Sequence, residues 1–303
     1  MAQPVAHPLI EALIERGSRS EKPRKTGITL VIDKGQLGIR AIDDLAEITG
    51  RYFDYAKIAW GSALITGNFE EKLEAYRRNG IVPMLGGTLF EYAYLRNKVQ
   101  QLLDLCGHYK LHVEVSDGVI DLPRKDKLMW IEKFAKHGEV FSEVGGKIDR
   151  QQRDWKTVVQ EELSAGAYKV VVEGREIGPV GKGIRSEFVD QVVEATELDN
   201  LVFEAFERPQ QVWLIKRFGP NVNLGNIPPT DLLTLESFRL GLKEHTLLHT
   251  FERSRAGAKD DQGAQKGKRL PPVVVDRLRR QAKAFAKGNE LHDDVTYLTV
   301  WVL

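Results

Sequence analysis

From Gly27 onward one pattern of apolar and polar positions repeats. A run of about five to seven apolar, largely β-branched residues ends in polar and glycine positions, and an amphipathic helical segment follows it. The apolar runs fall at 28–33, 53–58, 81–85, 111–116, 139–144, 168–173, 201–205 and 221–224, which predicts eight strands. Asn68 with Glu71 three positions later reads as a capping box at a helix start. Gly80, Gly107, Gly138, Gly166 and Gly219 stand where a left-handed C-terminal cap belongs. Eight short-linked strand–helix units predict an α/β fold with a parallel sheet closed into a (β/α)8 TIM-type barrel. An open doubly wound sheet is the alternative, and the lack of a Gly-x-Gly-x-x-Gly after the first strand argues against it.

The repeat covers 27–253, and the flanks are read separately. Residues 1–26 form an N-terminal arm in which Leu9, Ile10, Leu13 and Ile14 have helical spacing before the polar run 18–25, an arrangement suited to covering a barrel end. Residues 254–270 read as a polar linker, and 271–303 as an appendage with a helix at 273–287, stopped by Gly288, and an alternating strand at 295–303.

Composition narrows the class without naming a chemistry. At 303 residues, 42% hydrophobic and 29% charged, the chain can bury a large core. Its net charge of +1 points to neither nucleic acid nor an anionic membrane, and no apolar run of bilayer-spanning length occurs. The lone Cys106 excludes an internal disulfide framework and reads as a buried helix residue. Glu11 and Glu15 within the first apolar stretch do not suit a secretory signal, so a cytoplasmic protein is expected.

In a barrel of this kind the chemistry sits at the C-terminal ends of the strands. Glu114, Glu143, Glu173 and Glu204 recur there at intervals of 29, 30 and 31 residues, one per unit, with Asp33 at the end of the first strand. Carboxylates gathered in that way need cations. Lys34, Lys57, Lys147 and Arg175 supply them from the same strand ends, and a hard divalent ion such as Mg2+ suits a site of oxygen ligands without His or Cys. The competing reading is a ring of ion pairs that only fills the mouth. Within the run 142–147, Glu143 and Lys147 flank Gly145 and Gly146, which let the backbone approach a ligand; a partly desolvated Lys147 can exchange a proton near neutral pH. The bland alternative is a glycine loop with a solvated lysine.

These strand ends resemble one family. Asp33-Lys34-Gly35, Trp60-Gly61, the run 86–94 (Gly-Gly-Thr-Leu-Phe-Glu-Tyr-Ala-Tyr), Glu114 to Gly118, Glu143-Val144-Gly145, Glu173-Gly174-Arg175-Glu176 and Asn223-Leu224 are similar to the phosphosulfolactate synthases, over about residues 27–247. The resemblance implies a (β/α)8 barrel that adds sulfite to phosphoenolpyruvate, with Mg2+, to give (2R)-phospho-3-sulfolactate, an early step of coenzyme M synthesis in archaea. It implies a homo-oligomer whose partners are small molecules. It also implies that Lys147 is the general acid protonating an aci-carboxylate, with Glu143 beside it as a catalytic group. Lys34, Lys57, Arg175 and Asn223 would bind substrate, and the metal ligands would come from Asp33, Glu114, Glu173 and Glu204, with Glu143 also in the pool.

The chain departs from the family pattern at Ala59, Ser62, Gly146 and Ile177, each of which touches anion binding. It resembles more weakly the plant heat-stress-associated proteins, through Glu21 to Arg24 and the run 215–224. The second functional reading is therefore a diverged member with changed or lost activity in thermotolerance or scaffolding. The segment His292 to Thr296 is similar to the closing part of bacterial metal-dependent serine phosphatases, where an aspartate binds metal, but the strands of a whole phosphatase domain are missing.

Overall fold

A computed structural model describes residues 19–146, 154–178 and 183–260, together with Leu13; for 254–260 only the backbone is described. Eight strands, β1 (Thr29–Asp33), β2 (Tyr55–Ile58), β3 (Val82–Leu85), β4 (His112–Val115), β5 (Val140–Val144), β6 (Lys169–Val172), β7 (Leu201–Glu204) and β8 (Leu224–Ile227), close into a parallel barrel in chain order. The described helices are α1 (Ile39–Thr49), α2 (Phe69–Arg78), α3 (Gly87–Leu95), α4 (Val99–Tyr109), α5 (Arg124–Ala135), α6 (Trp155–Ser164), α7 (Gly174–Ile177), α8 (Ser186–Val193), α9 (Arg208–Phe218), α10 (Leu232–Arg239) and α11 (Glu244–Asp260). The protein is a (β/α)8 TIM-type barrel, as the strand count predicts.

The period-two alternation of each strand divides the core into an inside and an outside. Leu30, Tyr55, Met84, Phe141, Val171 and Val202 pack together within the barrel. Their sequence neighbours Val31, Ala56, Leu85, Val140, Val170, Val172 and Phe203 pack outward against the helices. Residues two positions beyond the interior layer therefore point inward one layer closer to the C-terminal mouth. Those residues are Lys57, Glu143, Glu173 and Glu204, and Glu114 stands on the matching face of β4 between the outward Val113 and Val115.

Three local expectations are corrected. The last strand lies at Leu224–Ile227 rather than 221–224. No capping box forms at α2, because Asn68 is in the left-handed region (φ 54°) and its side chain makes no cap bond. Residues 254–260, read as linker, continue helix α11 to Asp260.

The chain divides into two compact units, 1–246 and 247–303. In the first, residues 19–26 are bonded to the N-terminal end of the barrel. Lys22 Nζ donates to Gly50 O (3.0 Å), Phe53 O (2.7 Å) and Gly80 O (2.8 Å), Arg24 pairs with Asp54 at 3.0 Å, and Arg19 pairs with Glu236 at 3.2 Å. The helical spacing around Leu9 and Ile10 and the whole of 271–303, including the phosphatase-like segment at His292 to Thr296, lie outside the described residues. No helix among the described residues is long and apolar enough to cross a membrane.

Candidate active site

The mouth layer brings Glu114, Glu143 and Glu204 together: all three are buried, and one carboxylate oxygen of each lies within 4.8 Å of the others. The cation at their centre is Lys57, whose Nζ donates to Glu114 Oε2 at 2.8 Å and to Glu204 Oε1 at 3.0 Å. Backbone amides fix the carboxylates from behind, Gly87 N to Glu114 Oε1 (2.9 Å) and Gly174 N to Glu204 Oε2 (3.4 Å). A side chain at Gly87 would put its Cβ 2.4 Å from the Ser116 Cβ, so this close approach requires glycine. The Ser116 hydroxyl lies 3.0 Å from Glu143 Oε1 and 2.8 Å from Glu91 Oε1, which ties Glu143 to α3.

Among the described residues the Lys57 ammonium is shared between two of these desolvated carboxylates. Burial by itself disfavours the Lys57 ammonium, but Glu114, Glu204 and Glu143 outweigh it and hold its pKa above the ordinary lysine value. Glu204 responds in the opposite sense to a simple ion pair. Burial drives its pKa up to about 7; Lys57 lowers it, and the charges of Glu173 and Glu114 raise it again.

The other expected groups divide by position. Lys34 and Arg175 are exposed, and neither side chain makes a hydrogen bond or ion pair among the described residues. Glu173 is buried at the start of α7, where its Oε1 accepts from Arg175 N at 3.2 Å. Lys147 lies outside the described residues. Two assignments are moved away from the mouth cluster. Asp33 has odd parity relative to the inward Leu30, so it faces outward onto α2. There it pairs with Lys72 at 2.6 Å and accepts from Tyr76 Oη at 2.7 Å and Gly35 N at 2.8 Å, apart from the mouth carboxylates. Asn223 precedes β8 at the opposite end of the barrel, accepting from Ile28 N (2.9 Å) and donating to Asp199 O (3.0 Å) and Leu201 O (2.9 Å).

The side chain from β8 that does reach the mouth is Asn226. Its backbone is left-handed (φ 54°), which breaks the strand alternation and turns its Nδ2 to donate to Glu204 Oε1. Asn226 is 4% exposed, and its Oδ1 is buried without a hydrogen-bond partner. The sequence motif Asn223-Leu224 points to Asn223 instead; Asn as a residue that tolerates positive φ is the signal that marks Asn226. Ser116 and Glu91, which orient Glu143, carry no assigned role in the sequence motifs that contain them, and Lys72 and Tyr76, which hold Asp33, carry no signal in the sequence. Their roles depend on contacts 25 to 43 residues apart in the chain.

The donor set fits a hard divalent cation. Three buried carboxylates converge with no His or Cys in the cluster, and Asn226 Oδ1, without a hydrogen-bond partner, adds a neutral oxygen at the same corner. Glu143 joins this set in place of Asp33, and Glu173 contributes to it by charge.

Comparison with known proteins agrees with the geometry. The family model described as (2R)-phospho-3-sulfolactate synthase (ComA) matches residues 17–245. A phosphosulfolactate synthase of Methanothermobacter thermautotrophicus is 37% identical over 244 residues, 76% of this chain and 94% of the relative. One from Bacillus subtilis is 34% identical over 245 residues, 77% of this chain and 97% of the relative. A protein of Arabidopsis thaliana named heat-stress-associated 32 is 22% identical over 259 residues, 74% of this chain and 90% of the relative. With a matching family model over most of its length, and a mouth that gathers the carboxylates its motifs carry, this chain belongs to the (2R)-phospho-3-sulfolactate synthase (ComA) family.

Proposed function

We propose that the protein adds sulfite to phosphoenolpyruvate to give (2R)-phospho-3-sulfolactate. The observation that carries this reading is the convergence of three buried carboxylates within 4.8 Å beside a buried lysine, in a member of this family. In the reaction the sulfur lone pair forms a bond to C3 of the enol phosphate. The C2–C3 π electrons move to C2 and into the carboxylate as an aci-carboxylate, and a proton is delivered to C2. Lys147 is the general acid, a role that follows from the family motif, and Glu143 four residues before it is the neighbouring catalytic carboxylate.

Lys57 holds positive charge in the barrel centre without needing to be solvated, so it opposes the charge that develops on the substrate carboxylate. Lys34 and Arg175, which have no partner of their own among the described residues, bind the anionic groups that arrive from solvent, Arg175 with its bidentate fork. Glu114, Glu143 and Glu204, with Asn226 Oδ1, would hold a hard divalent ion such as Mg2+, whose chemistry there is to stabilise negative charge on the substrate carboxylate.

Phosphorus NMR of purified protein with phosphoenolpyruvate, sulfite and Mg2+ tests the reading. A new phosphomonoester resonance is expected that requires all three, and Lys147→Ala should slow its appearance by about 10²- to 10⁴-fold while keeping the native circular dichroism. A folded wild-type protein that neither binds phosphoenolpyruvate nor turns it over would sink the synthase. It would leave the diverged, heat-stress-type barrel as the better account.

A further inference from the structure

Behind the mouth, in the helix layer, one ammonium ties together the ends of two strands. Lys127 lies on α5 and is 1% exposed, and each of its three protons has a taker. Its Nζ donates to Asp117 Oδ1 at 2.9 Å and to Glu143 O at 2.6 Å, and it meets Glu162 Oε1 of α6 at 2.9 Å. Glu162 is itself buried. Its Oε1 also pairs with Arg124, and its Oε2 accepts from Ser142 Oγ at 2.6 Å. Burial disfavours the Lys127 ammonium, yet Glu162 and Asp117 together hold its pKa above the ordinary lysine value, so the group stays charged.

The bond to Glu143 O is the one that reaches the mouth. Along β5 the carbonyls alternate between neighbours: Glu139 O accepts from Val113 N beside β4, whereas Val140 O and Val144 O accept from Tyr168 N and Glu173 N beside β6. Glu143 O therefore faces the β4 side. The paired register of β4 and β5 stops at Val115 and Ser142, and beyond it Lys127 Nζ meets the Glu143 carbonyl. The same Nζ holds Asp117, where the chain leaves β4, and Ser116 Oγ beside Asp117 lies 3.0 Å from Glu143 Oε1. Glu143 is thus gripped twice, its main chain by Lys127 from the helix layer and its carboxylate by Ser116 at the mouth.

We propose that Lys127 is a positioning residue for the mouth: by fixing the Glu143 main chain and the turn at Asp117, it sets where the Glu143 carboxylate stands in the cluster and how the chain starts toward Lys147. Its bond is to the main chain and not to the carboxylate, so it acts through what it holds. The effect on turnover rests on the synthase reading; the effect on the carboxylate cluster does not.

Calorimetric titration with Mg2+, phosphorus NMR kinetics and melting temperatures of four variants test this. Lys127→Met/Glu162→Gln removes the ammonium together with one of the two carboxylates that would otherwise lose it, which protects the fold. Lys127→Arg keeps the charge but offers a planar fork in place of a compact ammonium. Glu162→Gln alone retains the Lys127 bond to Glu143 O. Arg124→Met weakens the same network from its far side, since Arg124 bonds to Glu161, Glu162 and Val158 O, all on α6. The double variant is expected to lose about 10- to 100-fold in Mg2+ affinity or in kcat, the usual effect of removing a group that orients a ligand, with KM for phosphoenolpyruvate within about threefold. Lys127→Arg should show the same losses in smaller measure. Glu162→Gln and Arg124→Met should stay within about threefold in all three constants, whatever their melting temperatures. Wild-type Mg2+ affinity and kcat in the folded double variant and in Lys127→Arg, or an equal loss in Arg124→Met, overturns the proposal, because the network then acts through fold stability alone. A wild type that binds no Mg2+ overturns it as well. A wild type that binds Mg2+ without sulfite-dependent turnover removes the synthase, and the Mg2+ affinities of the variants then decide the positioning role.

Discussion

Lys57 is the residue on which the charge balance of the mouth turns. Its ammonium is the cation bonded to both Glu114 and Glu204, and all three side chains are buried. Removing one partner of a buried pair costs about 3–5 kcal/mol, because the charges left behind have neither water nor a counter-ion. Lys57→Met should therefore lower stability by that order in urea titrations, with only part of the loss recovered when Glu204→Gln is added, because Glu114 stays buried without its ammonium. Glu204 also predicts a pH dependence in chelator-treated protein. Its carboxyl titrates at about 7 in the fold against 4.5 ordinarily, so between these values the native state holds a proton that the unfolded chain has released. The stabilisation is complete below 4.5 and is lost as pH rises through 7, on the order of 3 kcal/mol at most from this group. Urea titrations at pH 5 and pH 8 should show that loss in wild type and not in Glu204→Gln. At this scale the sequence was legible wherever strand parity could be counted: Glu143 and Glu204 share the inward face, whereas Asp33, three residues beyond the inward-facing Leu30, does not. Which cation serves which acid could not be read, because Lys72 and Asp33 are 39 residues apart and meet only when α2 docks on the barrel.

The elements were legible where a long apolar run met a turn signal, and they slipped where strand and turn chemistry overlap. The β8 segment contains Gly225 and Asn226, poor strand formers that read as a loop, so the strand was set three residues early. The run before β1 reads as an arm that covers a barrel end, but lysine and arginine are ordinarily solvated, so its partners could not be named from the sequence. Here Lys22 spends three donors on carbonyls from three places, the end of α1, the residue run into β2 and the end of α2. Truncating it leaves those carbonyls short of a donor that water replaces poorly, at a cost of about 1–3 kcal/mol. Lys22→Met should thus lower the melting temperature by roughly 5 °C without changing phosphoenolpyruvate affinity, since the segment bonds to the end of the barrel opposite the mouth. A fall in affinity at unchanged melting temperature would contradict that placement.

Across the whole molecule the barrel separates stability from chemistry by end, and two asparagines of β8 and its lead-in mark the division. Asn223 serves the N-terminal end: three hydrogen bonds, two of them buried, join Ile28, Asp199 and Leu201 across the β7–β8–β1 seam, which Arg239 reinforces by donating to Val222 O at 2.8 Å. Asn226 serves the mouth, holding Glu204 through Nδ2 and leaving Oδ1 free at the carboxylate corner. Asn223→Ala strands backbone groups of three segments, so its melting temperature should fall by on the order of 10 °C, while turnover at 25 °C stays within about twofold. Asn226→Gly keeps the left-handed backbone that glycine adopts freely and deletes only the amide. It should melt within a few degrees of wild type yet lose about 10- to 100-fold in divalent-ion affinity or turnover, the usual effect of removing a group that orients a ligand. Differential scanning calorimetry and Mg2+ titration on the same two variants separate the roles. If Asn223→Ala lost turnover while keeping its melting temperature, the opposite ends of the barrel would have to be reassigned, because a residue bonded only to backbone at the closed end has no contact through which to reach the reacting atoms.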